Sequence, residues 1–197
     1  MVGIMLLLCS IMPFMACTST EDEPYKSETE QPSDDPNNNE EEDNDTTPVY
    51  GHLTTANTVN DVVNHEAFNG FGRFILPAER SYNDNMTLQN VASMLPYHNY
   101  ITGERAVETI NTMIDYVHDR NTLFYDIYSD ADKQADSRKN NTGLFFFRGE
   151  PGKPFAIVCP GGGFSYVGAI HEGFPLAIAL SKMGYNAFSI QYRTGGA

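Results

Sequence analysis

Residues Pro154 to Arg193 place the tightest constraint on the fold. "PFAIVCP" is an apolar run of strand length with no polar alternation, the pattern of a central parallel strand covered on both faces. "FPLAIALSKMG" has the period of a helix. Leu176, Leu180 and Met183 form one stripe, Pro175 stands near the start, and Gly184 suits the C-terminal cap. "YNAFSIQYR" is a second strand. Strand, loop, helix and strand make one βαβ unit, which requires a parallel pair, so the chain is expected to be α/β. The first loop is long, Pro160 to about Gly173, and opens with "PGGGF", Pro160 to Phe164.

Upstream, "LFYDIYS" (Leu123 to Ser129) and "GLFFFRG" (Gly143 to Gly149) are aromatic-rich runs of strand length, expected to pair antiparallel. The polar "DADKQADSRKNNT" between them reads as a solvated turn. Its acids Asp130, Asp132 and Asp136 lack the glycine that a calcium loop needs. "TGERAVETINTMIDYVHDRN" predicts a helix with Thr102 as N-cap, a stripe of Val107, Ile110, Ile114 and Val117, and Asn121 at the stop. His118 lies near its C-terminal end, where a cation is mildly favoured. Leu88, Val91 and Leu95 suggest a helical turn or two before Pro96, and "FNGFGRFILP" reads as a loop or short strand.

The glycine loop fits neither common phosphate cradle. A dinucleotide fingerprint needs a third glycine where Tyr166 stands, and an acid after the next strand where Gln191 and Arg193 stand. A P-loop needs lysine after the glycines, and none follows. A glycine run is also what an oxyanion hole requires: backbone N–H donors must converge on a small oxygen with no Cβ in the way, often at positive φ. The segment Asn141 to Arg193 resembles the N-terminal part of secreted α/β-hydrolases of the esterase/lipase and dienelactone-hydrolase-like group. There the loop after the third strand carries an HGGG-type run; here Pro160 replaces the histidine. The resemblance implies an incomplete α/β-hydrolase fold with a β3–αA–β4 unit, and makes Gly162 and Gly163 the oxyanion-hole donors. Losing one such donor typically costs about 3 to 4 kcal/mol of transition-state stabilisation.

The same resemblance puts the nucleophile in a Gly-x-Ser-x-Gly turn after the following strand, with an acid and a histidine later still. No such turn occurs in the chain, so no catalytic residue is assigned. Gly163-Phe164-Ser165-Tyr166-Val167 fails at its last position, which makes Ser165 a loop residue bonding its neighbours. The histidines, 52, 65, 98, 118 and 171, show no metal-ligand spacing, and no cofactor is expected.

The N-terminal part is built differently. Val2 to Ala16 is apolar but shorter than the roughly 20 residues of a membrane span. Its end, "FMAC", resembles a bacterial lipoprotein signal with Cys17 as the lipidated residue, although no Lys or Arg precedes it and Phe14 stands where leucine is usual. Residues 18–48 carry 12 acids and one base, Lys26, which is -11 of the chain's -14. So polar a stretch buries too little apolar surface to fold and is expected to be a disordered tether. The acidity also excludes nucleic acid as a partner. Three cysteines give no disulfide framework, and Cys159 is expected to be a small residue in a buried strand.

The expected division is therefore a signal at 1–17, a linker at 18–48, a partly helical extension at 49–122, and the N-terminal half of a hydrolase domain at 123–197. The sequence reads as the N-terminal fragment of an exported carboxylic-ester hydrolase. It would be anchored by lipid at the outer membrane or cell surface of a Gram-negative bacterium, or else periplasmic or secreted. Its substrate would be a small-molecule or carbohydrate ester, and the chain alone would be inactive, with an exposed apolar edge on its last strand. The alternative is a non-catalytic cell-surface lipoprotein that acts as a binding or interaction module.

Overall fold

The computed structural model of the chain describes residues 49–95, 97 and 100–195. The predicted signal with Cys17, the acidic linker 18–48 and His98 lie outside the described residues. Among those described, no helix is long and apolar enough to cross a membrane.

The chain is α/β. Among the described residues its strands are β1 (Phe124–Tyr125), β2 (Gly143–Phe147), β3 (Phe155–Val158) and β4 (Asn186–Gln191), in the sheet order β1-β2-β4-β3. β1 and β2 pair antiparallel, as the two aromatic runs predict, with Phe124 opposite Phe145. β2 and β4 are also antiparallel, whereas β3 and β4 are parallel, as the βαβ pattern requires. The expectation of a central β3 covered on both faces is corrected. β3 is the edge strand, with Phe155 and Ile157 exposed, while the last strand, β4, is sandwiched between β2 and β3. The sheet edges are therefore β1 and β3, and the expected edge on the last strand is corrected.

Alternation along β2 and β4 divides the sheet into two unlike faces. Phe145, Phe147, Ala187, Ser189 and Gln191 are buried. Their neighbours Leu144, Phe146, Phe188 and Ile190 point the other way and are half-buried. Among the described residues the α-helices are α1 (Val59–Val63), α2 (Gly103–His118), α3 (Asp130–Ala135) and α4 (Phe174–Lys182); α2 and α4 pack on the covered face, where Tyr116 and Phe174 meet Phe147. Phe174 of α4 sits edge-on to Phe145 with ring centroids 4.5 Å apart, and Phe71 and Phe124 close the same cluster at 5.8 and 5.1 Å from Phe145. Residues 49–122 share this core with the sheet: Val59, Val62, Phe68, Leu88, Ile110 and Ile114 belong to it. Gln191 of β4 donates to the Phe74 carbonyl at 2.8 Å, and Arg73 donates to Asn141 and to the Asn140 carbonyl.

Three local expectations change. The polar segment after β1 is helical, because Ser129 and Asp132 form a reciprocal capping box that opens α3. Ion pairs hold it, Lys133 to Asp126 at 2.5 Å and Lys139 to Asp132 at 3.3 Å, with no buried side chain of its own. At its end Asp136 binds Arg138 and Arg193, which holds its carboxyl well below the usual range. α2 begins after Thr102 as predicted, yet its buried face is Ala106, Thr109, Ile110, Met113 and Ile114, so Val107 and Val117 flank the stripe. α4 buries Phe174, Ala177 and Ile178 while Leu176 and Met183 are exposed. Just before it Gly173 packs close on Pro160, where a Cβ would lie 2.5 Å from the Pro160 ring. "FNGFGRFILP" is two single 3₁₀ turns, Glu66–Phe68 and Gly72–Phe74, and Leu88–Met94 is a longer 3₁₀ segment.

A one-sided core makes neighbouring residues of β2 unequal. Phe145→Ala should cost about 3–5 kcal/mol in urea unfolding, the usual range for a buried phenylalanine. Phe146→Ala, on the half-buried face, should cost clearly less. Equal losses would contradict the packing described.

Candidate functional site

The glycine loop leaves the C-terminal end of β3, runs through a π-helical turn at Ala169–Gly173 and enters α4, after which β4 returns parallel to β3. In open α/β sheets the carboxyl ends of parallel strands are where ligands bind, and π-helical turns recur at functional sites. Three consecutive residues have positive φ: Gly162 at 149°, Gly163 at 58° and Phe164 at 60°. Gly162 has two reasons to be glycine, because a Cβ there would also fall 1.9 Å from the Tyr166 carbonyl oxygen. Phe164 adopts a left-handed conformation that L-residues with side chains rarely take, a strain that concentrates at functional sites.

The carbonyls of residues 160–164 are all occupied. The Pro160 oxygen accepts from the Tyr192 hydroxyl at 2.7 Å. The Gly161 oxygen accepts from the Gly168 N–H at 2.9 Å, and the Gly162 oxygen from the Ser165 N–H at 3.0 Å. The Gly163 oxygen accepts from the Ser165 hydroxyl at 3.4 Å, and the Phe164 oxygen from the Gly195 N–H at 2.9 Å. On the donor side, Gly161 N–H is bound to the Glu172 carboxylate at 2.9 Å. The N–H groups of Gly162, Gly163 and Phe164 carry no hydrogen bond among the described residues. Backbone donors rarely stay unpaired unless water or a ligand takes them. The loop therefore presents consecutive donors, which is what a small anion or a developing oxyanion binds.

These donors border an apolar cavity of about 510 Å³ lined by Cys159, Pro160, the glycines, Phe164, Ile190 and Tyr192. Among the described residues no carboxylate or ammonium side chain lines it. Burial, and after it the nearby Glu172, raises the Tyr192 hydroxyl above its ordinary value, so it stays protonated as the donor to Pro160. Glu79 is half-buried, and burial raises its carboxyl above the ordinary carboxylate range. Cys159 lies one residue beyond β3 and is exposed, correcting its placement in a buried strand.

Ser165 is a loop residue, bonded to Gly162 and Gly163 through its N–H and hydroxyl. His171 is in the core, where Nε2–H donates to the Val91 carbonyl at 3.2 Å. His52 contacts Asp115 at 2.6 Å and His65 the Gly51 carbonyl at 2.9 Å, so these rings serve local structure. Among the described residues no group of three or more His, Cys, Asp or Glu side chains is placed to hold a metal ion. Sequence reasoning singled out Gly162 and Gly163 but missed Phe164, Glu172 and Tyr192. The glycine triplet marks where the chain must turn; which side chains hold that turn depends on contacts 11 and 32 residues away.

The two glycines should respond differently to the same substitution. Gly163→Ala meets open space and only the left-handed φ, so urea unfolding should show a loss of about 1–2 kcal/mol. Gly162→Ala adds a backbone collision, so it should lose more and should shift the Tyr166 amide resonance. Equal losses at both positions would contradict this loop geometry. No protein-family model, curated protein or solved structure matches the chain.

Proposed function

We propose that the chain carries the oxyanion-binding segment of an α/β-hydrolase that acts on carboxylic esters, with the Gly162 and Gly163 N–H groups as donors. One observation carries the reading: the carbonyls of residues 160–164 are engaged while the N–H groups of these two glycines are not. The position after β3 and before α4 of a parallel β3–β4 pair supports it, because a β3–αA loop supplies half of the oxyanion hole in that family. When an ester carbonyl becomes tetrahedral, its oxygen gains negative charge and accepts both N–H groups. The donors need no rearrangement at that moment, which is the source of the roughly 3 to 4 kcal/mol attributed to one such donor. The apolar cavity beside them would hold the uncharged part of an ester.

The chain holds no Gly-x-Ser-x-Gly, so the nucleophile, its histidine and the acid are not assigned to any residue of it. Export and lipid anchoring through Cys17, with residues 18–48 as a spacer, form the second part of the proposal and rest on the sequence alone.

Titration with methylphosphonate, which mimics a tetrahedral oxyanion, tests the first part. The amide proton resonances of Gly162 and Gly163 should move together and saturate. p-Nitrophenyl acetate should not be hydrolysed above the buffer rate by this chain. Saturating shifts elsewhere, with none at the two glycines, would overturn the assignment.

A further inference from the structure

We infer that Glu172 is a positioning residue for the glycine loop: its carboxylate anchors Gly161 and so keeps the next N–H groups turned outward as donors. The inference rests on the reading of Gly162 and Gly163 given above and adds a residue to it.

Glu172 sits in the π-helical turn Ala169–Gly173, and its Oε1 accepts the Gly161 N–H at 2.9 Å. The turn is tied back to the loop by the chain itself. Gly168 N–H donates to the Gly161 oxygen at 2.9 Å, and Glu172 N–H donates to the Gly168 oxygen at 3.0 Å. Gly161, Gly168 and Glu172 thus form a closed hydrogen-bonded circuit. On the N-terminal side Tyr192 holds the Pro160 oxygen. Gly161 is fixed through both its N–H and its oxygen, so the peptide planes that follow start from a defined orientation. An inserted π-helical residue is a cost in a helix; here it brings Glu172 within reach of Gly161, and Gly173 close against Pro160. Glu172 is half-buried and borders a second cavity, of about 440 Å³, between α2 and α4, so it is not a core residue.

The carboxylate has a second consequence. It is an acceptor for Gly161, and its negative charge also stands near the place where an anion would bind. Position and charge therefore act in opposite directions and can be separated by substitution. Glutamine keeps an acceptor oxygen at the same reach and removes the charge. Aspartate keeps the charge but falls one methylene short. Alanine removes both.

Methylphosphonate binding by the wild type, Glu172→Gln, Glu172→Asp and Glu172→Ala is followed at the Gly162 and Gly163 amides, together with the Gly161 amide shift before ligand is added. Glu172→Gln should keep the Gly161 shift and bind as tightly as the wild type or more so. Glu172→Asp and Glu172→Ala should lose the Gly161 shift and bind about tenfold or more weakly, as misplaced donors do. If Glu172→Ala does not fold, the Asp and Gln pair decides. Wild-type affinity and an unchanged Gly161 amide in Glu172→Asp would overturn the inference. If the wild type does not bind methylphosphonate at all, the proposed function fails. The role of Glu172 is then judged on the Gly161 and Gly162 amide shifts and their exchange rates, which Asp and Ala must alter and Gln must preserve.

Discussion

The contact between Phe174 and Phe145 is the one on which the rest of this structure depends. Phe174 is the first residue of α4, and its ring stands 4.5 Å from that of Phe145 and 6.1 Å from that of Phe147. Both partners belong to the buried face of β2, so this contact pins the N-terminus of α4 over the sheet. Gly173 then brings the chain against Pro160, and the π-helical turn just before it delivers Glu172 to Gly161. Packing in the core thus sets the geometry of the loop. The segments before the sheet join through the same cluster, because Phe71 and Phe124 also pack against Phe145.

From this anchoring the chemistry follows by accounting for backbone polar groups. A loop that turns three times through positive φ normally satisfies its carbonyls and its N–H groups alike. In this loop the carbonyls of Pro160, Gly161, Gly162, Gly163 and Phe164 all have partners. The unpaired donors are consecutive, and their residues line an apolar cavity. Low polarity around such donors strengthens their attraction for charge. Glycine is needed at 162 for steric reasons and at 163 for its backbone angle. Phe164 bears the remaining strain with its ring exposed.

What was legible in the sequence was the part governed by short-range pattern. The βαβ unit, the antiparallel pairing of the two aromatic runs and the start of α2 at Thr102 follow from periodicity and capping. The glycine triplet identified the loop. Strand order was not legible: the apolar run of β3 looks like a covered central strand, yet Phe155 and Ile157 are exposed at the edge. Hydrophobicity gives the need for burial but does not say which neighbour provides it. The stripe of α4 was misread for a related reason. Leu176, Leu180 and Met183 make one stripe, but the helix turns Phe174, Ala177 and Ile178 inward, with Phe174 packed on Phe145 and Phe147. The helix at α3 was missed because its stability comes from a capping box and ion pairs, with no apolar period to detect. The bonds from Glu172 and Tyr192 to the loop are tertiary and leave no local signature.

The central claim is that Gly162 and Gly163 hold their N–H groups out of the loop's own hydrogen bonds while Gly161 and Gly168 do not. Residue-resolved amide hydrogen exchange on the native protein measures this directly. The account predicts protection at Gly161, which is bound to Glu172, and at Gly168, which is bound to Gly161, with rapid exchange at Gly162 and Gly163 between them. Similar protection at all four amides would contradict it.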